Sequence, residues 1–266
     1  MQEGYVFWSD EIVHKHEVTE DPQCDAYSVH IHNAYELIFF VSGDATHVIE
    51  DRKYKLRKGD LILIRPMQYH FIQIDGTARY ERYNILFDPE RHGVESVALI
   101  PEDVEVINIA EDSVACGFFE RYDFYRQGYD DARFARLLSH LLAELFYRIK
   151  LLPYAFSTER DTLSPLISGA LRYINANLSS VTGIHEVAEH LFVSESYLFR
   201  LFKTELHQTP KKYIREKRLY MAQRMLAMGE RPTTVSERCG FSDYTTFYRN
   251  YTAFFGKAPT KTVKTP

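Results

Sequence analysis

The sequence predicts two folded halves, an all-β domain with flanking helices followed by an all-α domain. Three observations carry this. Residues 27–87 alternate apolar and polar side chains with the period of two that strands require. After Pro101 the period lengthens to the helical one. Residues 165–262 also contain an internal duplication with an offset of 48–49 positions, the mark of a paired module. A chain of 266 residues is long enough for each half to bury its own core.

Composition narrows the class. Apolar residues at 45% and charged residues at 26% exclude a disordered or fibrous chain. No stretch approaches the apolar length that crosses a bilayer. The N-terminal Met1-Gln2-Glu3-Gly4-Tyr5 lacks the basic and then apolar regions of a signal peptide. Cys24, Cys116 and Cys239 are widely spaced and form no C-x-x-C pair, as expected of reduced thiols in a cytoplasmic protein without a membrane partner. The net charge of −5 is unevenly spread. Residues 160–266 hold 16 Lys and Arg against 9 Asp and Glu, whereas residues 1–159 hold 16 against 28. The basic half is the one suited to a polyanion.

In the first half the candidate strands are 27–32, 35–42, 45–50, 53–57, 60–65, 69–74 and 79–87, within a β-rich region of about residues 5–110. Turn-formers separate them: Ser42-Gly43-Asp44, Asp51-Arg52, Lys58-Gly59, Pro66-Met67 and Asp75-Gly76. Short, closely spaced strands predict a sandwich or small barrel. Helices follow over about 113–151. In 131–151, Phe134, Leu137, Leu138, Leu141, Leu142, Leu145 and Phe146 form one stripe, which must cover the barrel's flank, a second helix, or the same helix of another subunit. Residues 1–152 are therefore one domain and 153–163 a linker. Ser164 and Pro165 then cap and open the helical domain 164–266.

The duplication explains the second domain. Val187-Ala188-Glu189 through Ser194 repeats as Val235-Ser236-Glu237 through Ser242. Leu198 to Phe202 repeats as Phe247 to Tyr251, and Pro210 as Pro259. Each copy has the mechanics of a helix-turn-helix. Residues 185–191 and 195–206 flank a turn at Phe192-Val193-Ser194; 233–239 and 243–254 flank Gly240-Phe241-Ser242. Leu198, Leu201 and Phe202, with Phe247, Tyr251 and Phe254, face inward. Ser196, Phe199 and Arg200, with Tyr244, Thr245 and Arg249, are left outward as candidates for DNA base contact. Arg200 and Arg249 fall at equivalent positions and either read bases or hold phosphates only. Phe199 and Tyr244 either touch a thymine methyl or pack on neighbouring helices. Lys203, Lys211, Lys212, Arg215 and Lys217 are candidates for the DNA backbone.

These residues closely resemble the AraC family of bacterial regulators. The resemblance lies in Val187 through Ser194, Leu198-x-Arg200-Leu201-Phe202-Lys203 and Tyr213-Ile214-x-x-x-Arg218. Gly240-Phe241-Ser242-Asp243, Phe247-x-Arg249 and Gly256-x-x-Pro259 complete it. It implies a seven-helix domain with two recognition helices in successive major grooves, joined by a rigid helix at about 211–226. The departures are His207 for a usual glycine, Ser236 for alanine and Thr252 for a lysine.

In the first half, His30, His32 and Glu36 lead to Gly43, and Gly59 precedes His70 with Pro66 between them. His30 and His32 share one strand face. The pattern resembles the two cupin motifs, with Pro66 displaced by one, Gln68 near an expected glycine and Ile74 for asparagine. The resemblance implies a cupin-like barrel. Its metal ligands, if a divalent transition metal binds, fall on His30, His32, Glu36 and His70. AraC-type sensor domains share the pattern without needing a metal, so the expectation is a pocket without a cofactor. A metal-binding cupin enzyme or metal sensor is the alternative. The candidate pocket comprises His30, His32, Glu36, Tyr54, Arg65, His70 and Tyr83, with Tyr35 and Tyr69 nearby.

The whole predicts a non-enzymatic transcription regulator, an activator by family habit, responding to a small-molecule effector such as a carbohydrate. Its expected partners are double-stranded DNA, a second copy of the chain and RNA polymerase.

Overall fold

The computed structural model describes residues 12–23, 29–152 and 161–261. The candidate strand residues 27 and 28, Cys24 and linker residues 153–160 lie outside them.

Two antiparallel sheets face each other. One has the order β1 (Val13–Thr19), β7 (Tyr80–Phe87), β2 (Tyr35–Ser42), β5 (Asp60–Ile64), β8 (Val106–Asn108). The other runs β6 (His70–Ile74), β3 (Ala45–Ile49), β4 (Arg52–Lys55), β9 (Asp161–Thr162). β1, β8 and β9 belong to no strand segment picked out by alternation. The expected strand 27–32 survives, in its described part, as a single bridge between His30 and His70.

The larger sheet is buried on both faces, so its strands read as apolar runs. Ile38, Phe40, Ile62 and Ile64 point into the barrel with Ala45, Ile49, Tyr54, Ile72 and Tyr80. Leu37, Leu61, Leu63, Tyr83 and Ile85 point the other way, into a helical layer. That layer contains α1 (Pro89–His92), α2 (Ser113–Gly128) and α3 (Asp131–Lys150). The predicted stripe of α3 is used here: Phe134, Leu138, Leu142, Leu145 and Phe146 are all buried against the sheet and α2. It covers the barrel's flank and is not left free to pair with another subunit. At the β4–β5 turn, Gly59 has φ +86° and a Cβ there would lie 2.6 Å from Ala110 Cβ, so the turn needs glycine.

The helical domain follows the predicted order. It comprises α4 (Pro165–Ala176), α5 (Ile184–His190), α6 (Glu195–Leu206), α7 (Pro210–Ala227), α8 (Pro232–Arg238) and α9 (Tyr244–Phe255). Six α-helices are thus described. A 3-10 turn, Pro259–Lys261, stands where the resemblance implies a seventh. Ser164, Ser194, Thr209 and Asp243 cap their helices by accepting backbone N–H groups. His207 has φ +53°, the left-handed conformation for which its usual glycine counterpart is suited, and its ring packs edge-on against Phe71, 5.3 Å away.

The linker is shorter than predicted. Residues 161 and 162 pair with β4, and Leu163 N donates to Asp51 O at 2.9 Å. The second domain is therefore stitched to the barrel from its first residues.

Candidate functional site

Strand alternation assembles the barrel interior. His30, His32, Glu36 and His70 converge, one ligand atom from each lying within 4.8 Å of the others. The Nε2 atoms of His32 and His70 lie 2.8 and 2.9 Å from the same Glu36 oxygen, and His30 Nε2 lies 2.9 Å from His70 Nε2. The far nitrogens are anchored: His32 Nδ1 is 3.0 Å from Ala34 O, and His70 Nδ1 is 3.0 Å from Gln68 O. A carbonyl only accepts, so each Nδ1 carries the hydrogen and a neutral ring presents a bare Nε2. Two bare nitrogens facing one carboxylate oxygen repel unless a proton or a metal cation lies between them. Burial raises the Glu36 pKa, but its contacts with His30, His32 and His70 outweigh this and hold the carboxyl well below the ordinary carboxylate range. Burial, with His30 beside it, pushes His70 down to about 4.

The remaining expected pocket residues divide. Tyr54 is interior, its hydroxyl donating to Glu105. Tyr83 is a correction: it faces the helical layer, stacks on His16 at 3.9 Å and donates to Asp123. Parity explains this, since Tyr80 and Tyr83 lie an odd number of residues apart on one strand. Arg65 is a second correction. Its guanidinium donates to Val104 O at 3.0 Å and Pro101 O at 2.6 Å, bracing a loop. Tyr69 also turns away from the interior and donates to Leu206 O of the helical domain.

His47 is an interior residue that went unread in the sequence. It is 1% exposed on β3, on the barrel-facing parity of Ala45 and Ile49. Burial, with His70 nearby, holds it well below the usual histidine range. Only the alternation along β3 could have signalled it.

The outward face of the helical domain matches expectation. Ser196, Phe199, Arg200 and Lys203 on α6 are exposed, as are Tyr244, Thr245 and Arg249 on α9. Leu198, Phe202, Phe247 and Tyr251 anchor the same helices from behind, with Leu201 and Phe254 half-buried. The Arg200 guanidinium lies over Tyr197, 5.9 Å from its ring centre, and Lys203 over Phe199 at 5.6 Å. Lys211 and Arg215 are exposed, and Lys212 is half-buried. Lys217 is a correction. It is 5% exposed, paired with Glu50 and donating to Met67 O at 2.7 Å, so it serves the domain contact rather than a phosphate.

Arg218 explains why the resemblance includes an arginine there. It donates to Leu178 O, Val181 O and Gly240 O at 2.8, 2.7 and 2.7 Å. One side chain thus ties the α4–α5 connection, which leads into the first helix-turn-helix, to the turn of the second. Gly240 has φ +74° and a Cβ there would meet Ser179 O at 2.0 Å. This contact helps α7 hold the two helix-turn-helix units together.

The barrel interior and α7 share a wall. Along 29–33, His30 and His32 point inward. Val29 and Ile31 instead pack with helical-domain residues, Ile31 among Leu219, Phe247 and Tyr251. Asn33 Nδ2 donates to Tyr220 O at 2.9 Å and Gln223 Oε1 at 2.8 Å. Along 69–71, His70 points inward while Tyr69 and Phe71 pack against α6 and α7. Glu50, at the β3–β4 turn, accepts from Tyr69 N and Tyr213 Oη at 2.8 and 2.9 Å and from Lys217.

A barrel with a polar interior, sharing a wall with paired recognition helices, is the architecture of a ligand-responsive DNA-binding protein. Residues 18–155, more than half of the chain, match the model of the AraC-like ligand binding domain, and residues 187–265 match that of a helix-turn-helix domain. The chain belongs to the AraC family of transcriptional regulators, which are DNA-binding proteins rather than enzymes. It is 29% identical over 121 residues to the lactose operon transcription activator of Staphylococcus xylosus, covering 45% of this chain and 43% of that protein. The chain thus spans less than half of that relative's length. It is 24% identical over 257 residues to the HTH-type transcriptional activator RhaR of Cronobacter sakazakii, covering 88% of this chain and 86% of the relative. The crystal structure of ToxT from Vibrio cholerae O395 aligns over 97% of this chain and 100% of its own, with 12% identity and a TM-score of 0.38. Among the described residues no helix is long and apolar enough to cross a membrane.

Proposed function

We propose that this chain is a cytoplasmic, sequence-specific transcription activator whose barrel binds a small effector, with a carbohydrate the favoured class. Effector binding changes how α7 docks, and with it the presentation of α6 and α9 to DNA. The observation that carries this is the shared wall. Neighbouring residues of two short segments, 29–33 and 69–71, alternately line the polar interior and grip the helical domain. A ligand can shift an equilibrium only by contacting its states unequally, and a common wall supplies such contacts. The S. xylosus relative, named for a lactose operon, favours a sugar. In this reading two copies occupy paired sites and contact RNA polymerase. The α3 stripe being used internally, they meet through outer residues such as Phe124, Tyr147 and Leu151, which are exposed. The test is a footprint on the DNA upstream of neighbouring genes. Arg200→Ala abolishes selective protection and leaves weak, salt-sensitive binding; an unchanged footprint contradicts the assignment.

A second reading concerns the same cluster. His30, His32, His70 and Glu36 fit a divalent transition metal: three imidazoles and one carboxylate suit it, and the backbone carbonyls behind His32 and His70 orient them as outer-shell partners do. Such an ion would polarise or coordinate an oxygen of a ligand held above it. Stoichiometric metal by elemental analysis, lost in His32→Ala/Glu36→Ala, supports the ion. Protein that neither carries metal nor takes it up on titration refutes it.

A further inference from the structure

Among the described residues, His47 and Asn84 are polar groups of the barrel interior that the converging histidines and Glu36 leave unserved. Neither ring nitrogen of His47 has a hydrogen-bond partner among the described residues, although the side chain is 1% exposed. The Oδ1 atom of Asn84 is likewise buried without a partner. Both face the interior. His47 pairs in register with Tyr54 and Ile72, and Asn84 with Ile38, all three of which belong to the barrel core. His47 also stacks on His70, ring centres 6.0 Å apart and planes 17° apart, so it adjoins the cluster. A buried polar atom left unpaired costs about 1–3 kcal/mol, and a water, an ion or a ligand is what relieves that cost.

We infer that His47 and Asn84 form a hydroxyl-reading subsite that selects a neutral polyhydroxy effector. This rests on the barrel being the effector site, and it names what that site selects. The reasoning is a count of hydrogen-bonding capacity. A neutral imidazole offers one N–H donor and one bare nitrogen, and Asn84 Oδ1 offers a second acceptor. A carboxylate or phosphate brings acceptors only and satisfies His47 N–H alone. An aromatic hydrocarbon satisfies none of the three. Hydroxyl groups both donate and accept, so two or three of them on one carbon skeleton satisfy all. Phe40, Ile49, Ile62 and Ile72 supply apolar wall for the C–H face of such a ring.

The test uses the full chain, with thermal shift and calorimetry on aldohexoses, alditols and lactose, set against benzoate and citrate. A polyhydroxy compound binds the wild type. His47→Leu weakens that binding by about 10-fold or more, as expected where a site built to hydrogen-bond a hydroxyl loses its partner. The ligand-free melting temperature of that variant stays level or rises, because an unpaired polar group has been removed. His47→Gln keeps a donor and an acceptor and retains part of the affinity. Undiminished binding by His47→Leu means that His47 meets only water; it overturns the inference and leaves the effector site standing. Binding of the carboxylates alone overturns it in the same way. If no polyhydroxy compound shifts the wild type, the inference is overturned, while the effector-site reading rests on whether a compound of any other class does.

Discussion

Replacing Arg218 with methionine keeps the aliphatic bulk of the side chain and removes its donors to three carbonyls. Those bonds, at 2.8, 2.7 and 2.7 Å, join Leu178 and Val181 to Gly240. A hydrogen bond from a charged group contributes about 1.5–3 kcal/mol. Leu178 and Gly240 are only half-buried and their carbonyls regain water, whereas Val181 is buried. The expected loss is therefore about 3 kcal/mol rather than the full sum, against the 5–15 kcal/mol typical of a folded domain. The functional consequence is sharper than the stability change. With the tie gone, the two helix-turn-helix units are held less firmly to each other, and a DNA site read by both helices loses more affinity than a site read by one. Urea unfolding gives the stability, and fluorescence anisotropy on full and half sites gives the binding. A stability loss below about 1 kcal/mol, with equal losses on full and half sites, would refute the reasoning.

Other expectations follow from buried contacts. Lys217→Met leaves the Glu50 carboxylate without its cation. With side-chain exposures of 7% and 19%, the pair belongs to the class whose breaking costs about 3 kcal/mol. Urea unfolding checks this, and a change within about 0.5 kcal/mol means that the domain contact does not depend on the pair. Gly240→Ala forces a Cβ to 2.0 Å from Ser179 O, so full-site DNA binding falls while effector binding persists; normal DNA affinity would show that the turn can move. Burial pushes the Cys239 thiol up to about 12, so at pH 8 it stays protonated and resists brief iodoacetamide treatment of the folded protein. Rapid labelling, read by mass spectrometry, would contradict its packing beside Met225, 3.7 Å away.

Local pattern reached the helical domain more fully than the barrel. The caps at Ser164 and Ser194 and the α6 boundaries follow from signals a few residues long. α9 begins one residue later than expected because Asp243 is its cap, the carboxylate accepting from Thr246 N. Barrel pairing is non-local, and periodicity alone did not reveal β1, β8 or β9, short or edge strands whose partners lie far away in sequence. The converging histidines were legible because His30, His32 and Glu36 share parity along one segment. Tyr83 was misplaced because an aromatic residue on a strand buried on both faces gives no sign of which core it enters. Lys217 was misread for a related reason. On a helix packed on most sides, a lysine can be an internal ion-pair partner, and Glu50 sits 167 residues away. His47 carries no motif, and only the assembled interior shows that its nitrogens lack partners among the described residues.

The account's central claim is that the wall shared by the barrel and α7 couples effector to DNA. The most direct measurement is operator affinity of the full chain by anisotropy, with and without saturating effector, for the wild type and for Glu50→Gln/Lys217→Met. The wild type changes affinity by about 10-fold or more on effector binding, within the usual range of coupling between sites. The double variant binds the effector as tightly as the wild type but changes DNA affinity by less than about two-fold. A full response in the double variant would place the coupling elsewhere.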